Sequence, residues 1–522
     1  MGIGALVCLL AAGTDAAAGP LPPGAAAAIA AVHPSSLAAR AHFLSLGELR
    51  DLGTGATGQD VAAAYLAAEL QALGLAPAGD DGTFLQPVPL RSWRVDQDGA
   101  SLVLAAPGRP SVSLRGGQDF LALSTGEQSE VEVDAPVVFA GYAITAPEYG
   151  YDDLRGVDLR GKIALVLEGA PLSDRPNYFP PLAHAAYADP AAKLRRLAER
   201  GAAGILFART PASEAVLPWA TLAHRAREED VGSLEGARLA AGASGVPAGF
   251  ALSSTGFEKL LAAAGVPGGA RAVLQKAEAG RLAPQPLPLR VRLHSSAEMR
   301  EFRSLNVAAL LRGSDAAKAR EVVVLSVDVN AAEPGDSPAE GEAAGGAVLL
   351  EIARVLAAMP SPPRRSVLFL AAGGGRRPAI GARYFAKHPT VAADRIAADL
   401  HVERTPGRGP LVEVVAAGAD DSTLSRPVRS AAAGLELGLA QDPGADAFAA
   451  CGAYPFAAMG VPGVCLSPGP GNGVPGPPAP GRAAGSGPDW EGLARFTRFE
   501  LLLALLVADA ETRPSLAGGG AR

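Results

Sequence analysis

The stretch EVVVLSVDVNAAEPGDSPAEGEAAGGAVLLEIARVLAAMPSPPRRSVLFLAAGGG, residues 321–375, decides the fold. Val322 to Val329 is a short run of aliphatic, mostly β-branched residues, the pattern of a strand buried on both faces. Glu342 to Met359 has the apolar spacing and the length of a helix. Ser366 to Ala372 repeats the strand pattern, and Ile380 to Lys387 continues as a second helix. Short apolar strands alternating with helices predict an α/β sandwich around a mostly parallel sheet.

Working outward, Asp489 to about Ala508 reads as a last helix, after a Pro/Gly-rich loop from Ser467 to Pro488. On the other side, Pro284 to Pro288 punctuates the entry to the lobe. Before it lies a different texture. Val137 to Ile144 and Lys162 to Gly169 are β runs, and a helix from Ala191 to Arg200 stops at Gly201 before a strand at Gly204 to Ala208. Further back, Val61 to Leu73 carries Val61, Tyr65, Leu66, Leu70 and Leu73 at helical spacing and is closed by Gly74. The expected organisation is a leader at 1–18, the first part of the lobe at 19–128, and a β-rich domain at 129–288. The main lobe follows at 289–512, with a disordered tail at 513–522.

Composition sets outer limits. The chain has 522 residues, a length that suits two or three domains, and 48% hydrophobic content suffices for large cores. The formal net charge is -7 with no basic block, which excludes the concentrated cationic face that nucleic acid requires. No apolar run reaches membrane-spanning length; Phe499 to Val507 fits a buried helix. Gly2 to Gly13 followed by Ala16-Ala17-Ala18 has the apolar core and small-residue cleavage site of an export signal, without its positive start. Secreted or periplasmic localisation is the expectation. Of the three cysteines, Cys8 lies in this leader, and Cys451 and Cys465 are expected as separate buried thiols rather than as one bridge.

Several segments together resemble metallopeptidase family twenty-eight, the di-zinc aminopeptidases, in the form with an inserted protease-associated domain. They are GATGQDVAAAYLAAELQALGLAPAGDDGTFLQPVPL at 55–90, VVFAGYAITAPEYGYDDLRGVDLRGKIALVLEG at 137–169 and RGAAGILF at 200–207. In the lobe they are SLNVAALLRGSD at 304–315, GAVLLEIARVLA at 346–357, IGARYFAKHP at 380–389 and DWEGLARFTR at 489–498. The resemblance implies the zinc-aminopeptidase sandwich and identifies residues 129–288 as the insert. It also implies two zinc ions, histidine and carboxylate ligands, and a glutamate acting as general base on the bridging water.

Carried over position by position, that site is degenerate. SVDVNA places Asp328 where the resemblance implies a zinc histidine, and Asn330 where it implies the orienting aspartate. AEGEAAG places the bridging aspartate on Gly341, with Glu340 and Glu342 beside it. The base and the next ligand fall on Gly375 and Arg376. The following aspartate falls on Asp399, or on Leu400 if the register slips. The last histidine falls near Ala479. At an effective dielectric of 20, Arg376 about 4 Å from a dication would oppose it by roughly 8 kcal/mol. No cofactor is therefore expected, and Asp328, Glu340 and Asp399 read as carboxylates at strand ends. His401 reads as a structural histidine.

Gly373, Gly374, Gly375 and Arg376 form a strand-to-helix turn of the kind that binds anions through backbone N–H groups, although the spacing matches no phosphate fingerprint. The resulting expectation is a catalytically inactive relative that binds a peptide or protein outside the cytoplasm. The alternative is an active zinc aminopeptidase with a divergent metal site.

Overall fold

The computed structural model of the chain describes residues 21–46, 49, 57–123, 128–171, 179, 187–188, 190–233, 248–278, 282–329, 339–374, 379–407, 409–470 and 489–517. In chain order, the strands that build the molecule begin with β1 (Leu85–Val95), β2 (Ser101–Ala105), β3 (Phe120–Leu123), β4 (Glu130–Phe139) and β5 (Ile163–Leu167). Then come β6 (Gly204–Ala208), β7 (Asp230–Ser233), β8 (Ala248–Leu252) and β9 (Gln285–Leu311). The lobe adds β10 (Val322–Val329), β11 (Ser366–Gly373), β12 (Ile396–Val402), β13 (Glu413–Ala417) and β14 (Gly463–Pro468). The principal helices are α1 (Pro34–Leu44), α2 (Thr57–Ala72), α3 (Pro190–Glu199), α4 (Ser254–Ala263), α5 (Ala339–Ala357), α6 (Ile380–Lys387) and α7 (Trp490–Ala508).

The lobe sheet has a parallel centre. β10 pairs in parallel with β11 on one side and β12 on the other, and β12 pairs in parallel with β14. The flanks are antiparallel: β9 against β11, β1 against β9, and β13 against β14. Such a centre needs helices on both faces, because its strands are apolar on both faces. Val323, Leu325 and Val327 accordingly pack with α5 and α7, while Val322 and Val324 share a cluster with Leu368, Leu370, Phe385 and Phe456. Phe496, Phe499, Leu501, Leu502 and Leu505 of α7 are wholly buried. Each such side chain contributes about 1.5–3 kcal/mol by leaving water. The expected strand–helix alternation is present, with α5 starting at Ala339 rather than Glu342, a shift within the usual spread of helix boundaries.

β9 joins this sheet to a second one. Its 27 residues run through both. Residues 297–307 pair with β1, whereas 290–294 lie between β2 on one edge and β4 on the other. From β4 the second sheet continues in parallel through β5, β6 and β8, and β3 closes it antiparallel to β8. The expected boundary at 128/129 thus cuts through one sheet. The first half of β9 needs hydrogen-bond partners on both edges, and one of them comes from residues 101–105. Among the described residues, no helix is long and apolar enough to cross a membrane.

Candidate functional site

The carboxyl ends of β10 and β12 lie side by side, which is where open α/β sheets gather their ligands. In the register of this pair Ser326 stands opposite His401. Alternation along the strands then puts Ser326 and Asp328 on the same face as Asp399 and His401. Glu403 follows two residues beyond His401.

The geometry is that of a buried relay. Ser326 Oγ donates to Asp399 Oδ1 at 2.8 Å and lies 2.9 Å from His401 Nδ1. His401 Nε2 faces Glu403 Oε2 at 3.4 Å. Ser326, Asp399 and His401 are fully buried. Burial disfavours the charged ring of His401, but Glu403, Asp328 and Asp399 outweigh it and lift the imidazole to about 9. The imidazolium form then donates from Nδ1 to the Ser326 hydroxyl, which passes its own hydrogen to Asp399. Burial pushes the Asp399 carboxyl up to about 7 against the pull of His401 and Ser326. Burial also raises Asp328, whereas for Glu403 the neighbouring His401 overcomes burial and holds the carboxyl down.

The structure brings Asp328 and Asp399 together, two of the positions implied by the family resemblance. Asp328 Oδ2 accepts the Ala379 N–H at 2.8 Å, just before α6 begins. Glu340 and Gly341 fall in the first turn of α5, and their surroundings lie outside the described residues. Asn330, Gly375, Arg376 and Ala479 also lie outside them. The Gly373 N–H, counted above toward an anion-binding turn, is taken by Asn306 Oδ1 at 2.9 Å. Asn306 Nδ2 in turn donates to Gly381 O at 3.0 Å, tying the end of β11 to the start of α6. A Cβ on Gly373 would meet the Leu305 backbone and the Ser304 hydroxyl, so glycine is needed there for close approach.

Three participants escaped the sequence reading: Ser326, Glu403 and the working position of His401. The signal was present as Asp399, His401 and Glu403 at every second position, which on a strand is one face.

Cys451 and Cys465 are joined in a disulfide with Cα atoms 6.5 Å apart, which corrects the expectation of separate thiols. Cys465 sits on β14 opposite His401. The segment around Cys451 folds back against that strand end, so two residues 14 apart meet.

With this geometry in place, comparison with known proteins bears on the lobe. Residues 306–488 match the family model described as peptidase family M28. That stretch is similar to peptidase family M28. Among solved structures, the chain is similar to an aminopeptidase from Aneurinibacillus sp. strain AM-1, with 16% identity, a TM-score of 0.56 and coverage of 93% of this chain and 96% of that one. Others include a zinc aminopeptidase from Bacillus subtilis, with 15% identity, a TM-score of 0.45 and coverage of 90% and 94%. A peptidase M28 precursor from Shewanella amazonensis gives 17% identity, a TM-score of 0.43 and coverage of 94% and 98%. No curated protein matches the chain.

The match of residues 306–488 to the M28 family model overturns the expectation of no cofactor, since the resemblance to that family implies zinc. The residues present are compatible with that ion. Carboxylate and imidazole are the oxygen and nitrogen donors zinc takes. Asp399 Oδ2, His401 Nε2 and Glu403 Oε2 are buried without a hydrogen-bond partner among the described residues. His401 and Glu403, with Asp328 and Asp399 behind them, are the described residues placed to hold it. A bound zinc would supply a Lewis acid and a water of lowered pKa.

Proposed function

We propose that this M28-like protein binds a peptide or protein and does not cleave it. The observation that carries this reading is the turn between β11 and α6. Its sequence from Ser366 to Ile380, SVLFLAAGGGRRPAI, contains no carboxylate and has two arginines. The family resemblance implies a glutamate base there, and a water held by zinc still needs a group to take its proton. Asp328, opposite Ala372 at the end of the neighbouring strand β10, is engaged with the Ala379 N–H. The β-rich region at 129–288 is proposed as the protease-associated insert, available as an interaction surface. Localisation outside the cytoplasm fits both the leader-like N-terminus and the Cys451–Cys465 disulfide, since such bonds persist in oxidising compartments.

The test is hydrolysis of aminoacyl-nitroanilides by the full chain with zinc supplied. Release equal to the buffer control is expected. Turnover that a chelator abolishes would overturn the proposal and establish an active aminopeptidase with a divergent site.

A further inference from the structure

The Cys451–Cys465 disulfide closes a ring of contacts around the two unbonded zinc donors. Cys465 on β14 is the register partner of His401 on β12. The disulfide links Cys465 to Cys451. The next residue, Gly452, lies so close over the imidazole that a Cβ there would overlap the ring, and its N–H donates to the Glu403 carboxylate. Glu403 Oε2 faces His401 Nε2 at 3.4 Å, and neither atom has a hydrogen-bond partner among the described residues. The Glu403 carboxylate and both sulfurs lie within 4.8 Å of one another. One covalent bond thus fixes the Gly452 turn over both donors.

We propose that this disulfide is a positioning element for the zinc site: His401 and Glu403 hold the ion only after Cys451 and Cys465 have been joined, so that metal uptake waits for oxidation of the chain. The proposal rests on the reading of His401 and Glu403 as zinc donors. The sulfurs are committed to their own bond and ligate nothing. Their part is to keep the Gly452 N–H on Glu403 and the Gly452 backbone against the His401 ring. Outer contacts of this kind orient metal ligands, and their loss typically weakens metal affinity about 10–100-fold. Without the bond, two thiols attract each other no more than small apolar groups do, and the turn is tied to the sheet only by weaker contacts. Donors misplaced by more than about 0.5 Å no longer share one ion well.

Burial gives the device a direction. Cys451 and Cys465 are 1% and 3% exposed and share an apolar pocket with Ala417 and Ala453. A reducing thiolate must reach a sulfur to break the bond, and in the folded chain that access is blocked. The bond therefore forms as the chain folds and then persists, as a maturation step rather than a reversible switch. The chemistry balances. The thiolate of one cysteine attacks a sulfur of a disulfide donor such as oxidised glutathione and displaces one thiol. The thiolate of the other cysteine attacks the mixed disulfide and displaces the second. The two cysteines give up two protons and two electrons, and the donor leaves as two thiols.

The experiment uses the full chain, stripped of metal, in two forms. One is oxidised; the other is purified under a phosphine reductant and never oxidised, and counting in denaturant should find two more thiols in it. Zinc affinity is measured by competition with a chromophoric chelator, beside circular dichroism and melting temperature. At a temperature where both are folded, the oxidised form should bind zinc at least tenfold more tightly. Oxidised glutathione added to the reduced form should restore the higher affinity as the two thiols disappear. The double variant Cys451→Ala/Cys465→Ala keeps small apolar side chains in the pocket and should bind as weakly as the reduced chain. Equal zinc affinity with a lower melting temperature for the reduced form would make the bond a staple of the fold alone; the proposal would fall and the zinc reading would stand. Tighter binding by the reduced form, or a chain that does not fold without the bond, would overturn the proposal as well. No zinc on the oxidised form would overturn the zinc reading and the proposal together.

Discussion

The imidazole of His401 occupies the space that a side chain at Gly452 would fill. A Cβ built on Gly452 falls 2.6 Å from His401 Nε2 and 2.7 Å from Nδ1, well inside van der Waals contact. The Gly452 N–H also donates to Glu403. One glycine thus leaves room for the ring and fixes the carboxylate it faces. Gly452→Ala should destabilise the fold by about 1–3 kcal/mol, because a packed interior has little room to yield. Chemical denaturation measures this, and an unchanged midpoint would mean the ring has another place to go.

Ser326 is the only described partner of both Asp399 Oδ1 and His401 Nδ1. Ser326→Ala leaves two buried polar atoms unpaired, with an expected loss of about 1–3 kcal/mol. Ser326→Val, equally unable to bond but filling more space, should be no better. If either variant matches the parent in urea unfolding, the relay contributes nothing to stability.

Glu500 on α7 is buried, and neither of its carboxylate oxygens has a partner among the described residues. Burial lifts it from 4.5 to about 8, with Asp399 raising it further and His401 opposing. The folded state therefore holds a proton that the unfolded state has released. Stability associated with this group is full below about pH 4.5 and falls as pH rises toward 8, by at most about 1.4 kcal/mol per pH unit. Glu500→Gln removes that slope. Its advantage over the parent should widen between pH 5 and pH 8, and parallel melting curves across that range would contradict the assignment.

Glu351 ties the chain's beginning to the lobe. Its carboxylate accepts from the His33 N–H at 3.0 Å, Ser36 Oγ at 2.7 Å and Arg40 Nη1 at 2.8 Å, and it pairs with Arg354. Burial alone would raise it, but these donors hold it down to about 2. Its contribution is present above pH 4.5 and is lost as pH falls toward 2. Glu351→Ala takes the buried carboxylate from Arg40 and Arg354, which keep Glu69 and the Ala31 carbonyl, and should cost about 3–5 kcal/mol by equilibrium unfolding at neutral pH. A loss under about 1 kcal/mol would show that the hub is replaceable by water.

The sequence by itself determined the layers. Val322 to Val329 and Ser366 to Ala372 are apolar on both faces, so they could only become inner strands covered by helices, and α5, α6 and α7 supply that cover. It also determined that the turn after β11 carries no carboxylate. Tertiary structure alone decided which polar residues meet. Ser326 and His401 are 75 residues apart, and their contact depends on the parallel register of β10 with β12. The partners of a parallel strand are brought in by long crossovers and fixed by packing, and no local pattern encodes them. For the same reason Cys451 and Cys465 read as separate thiols in the chain and as neighbours of His401 and Glu403 in the fold.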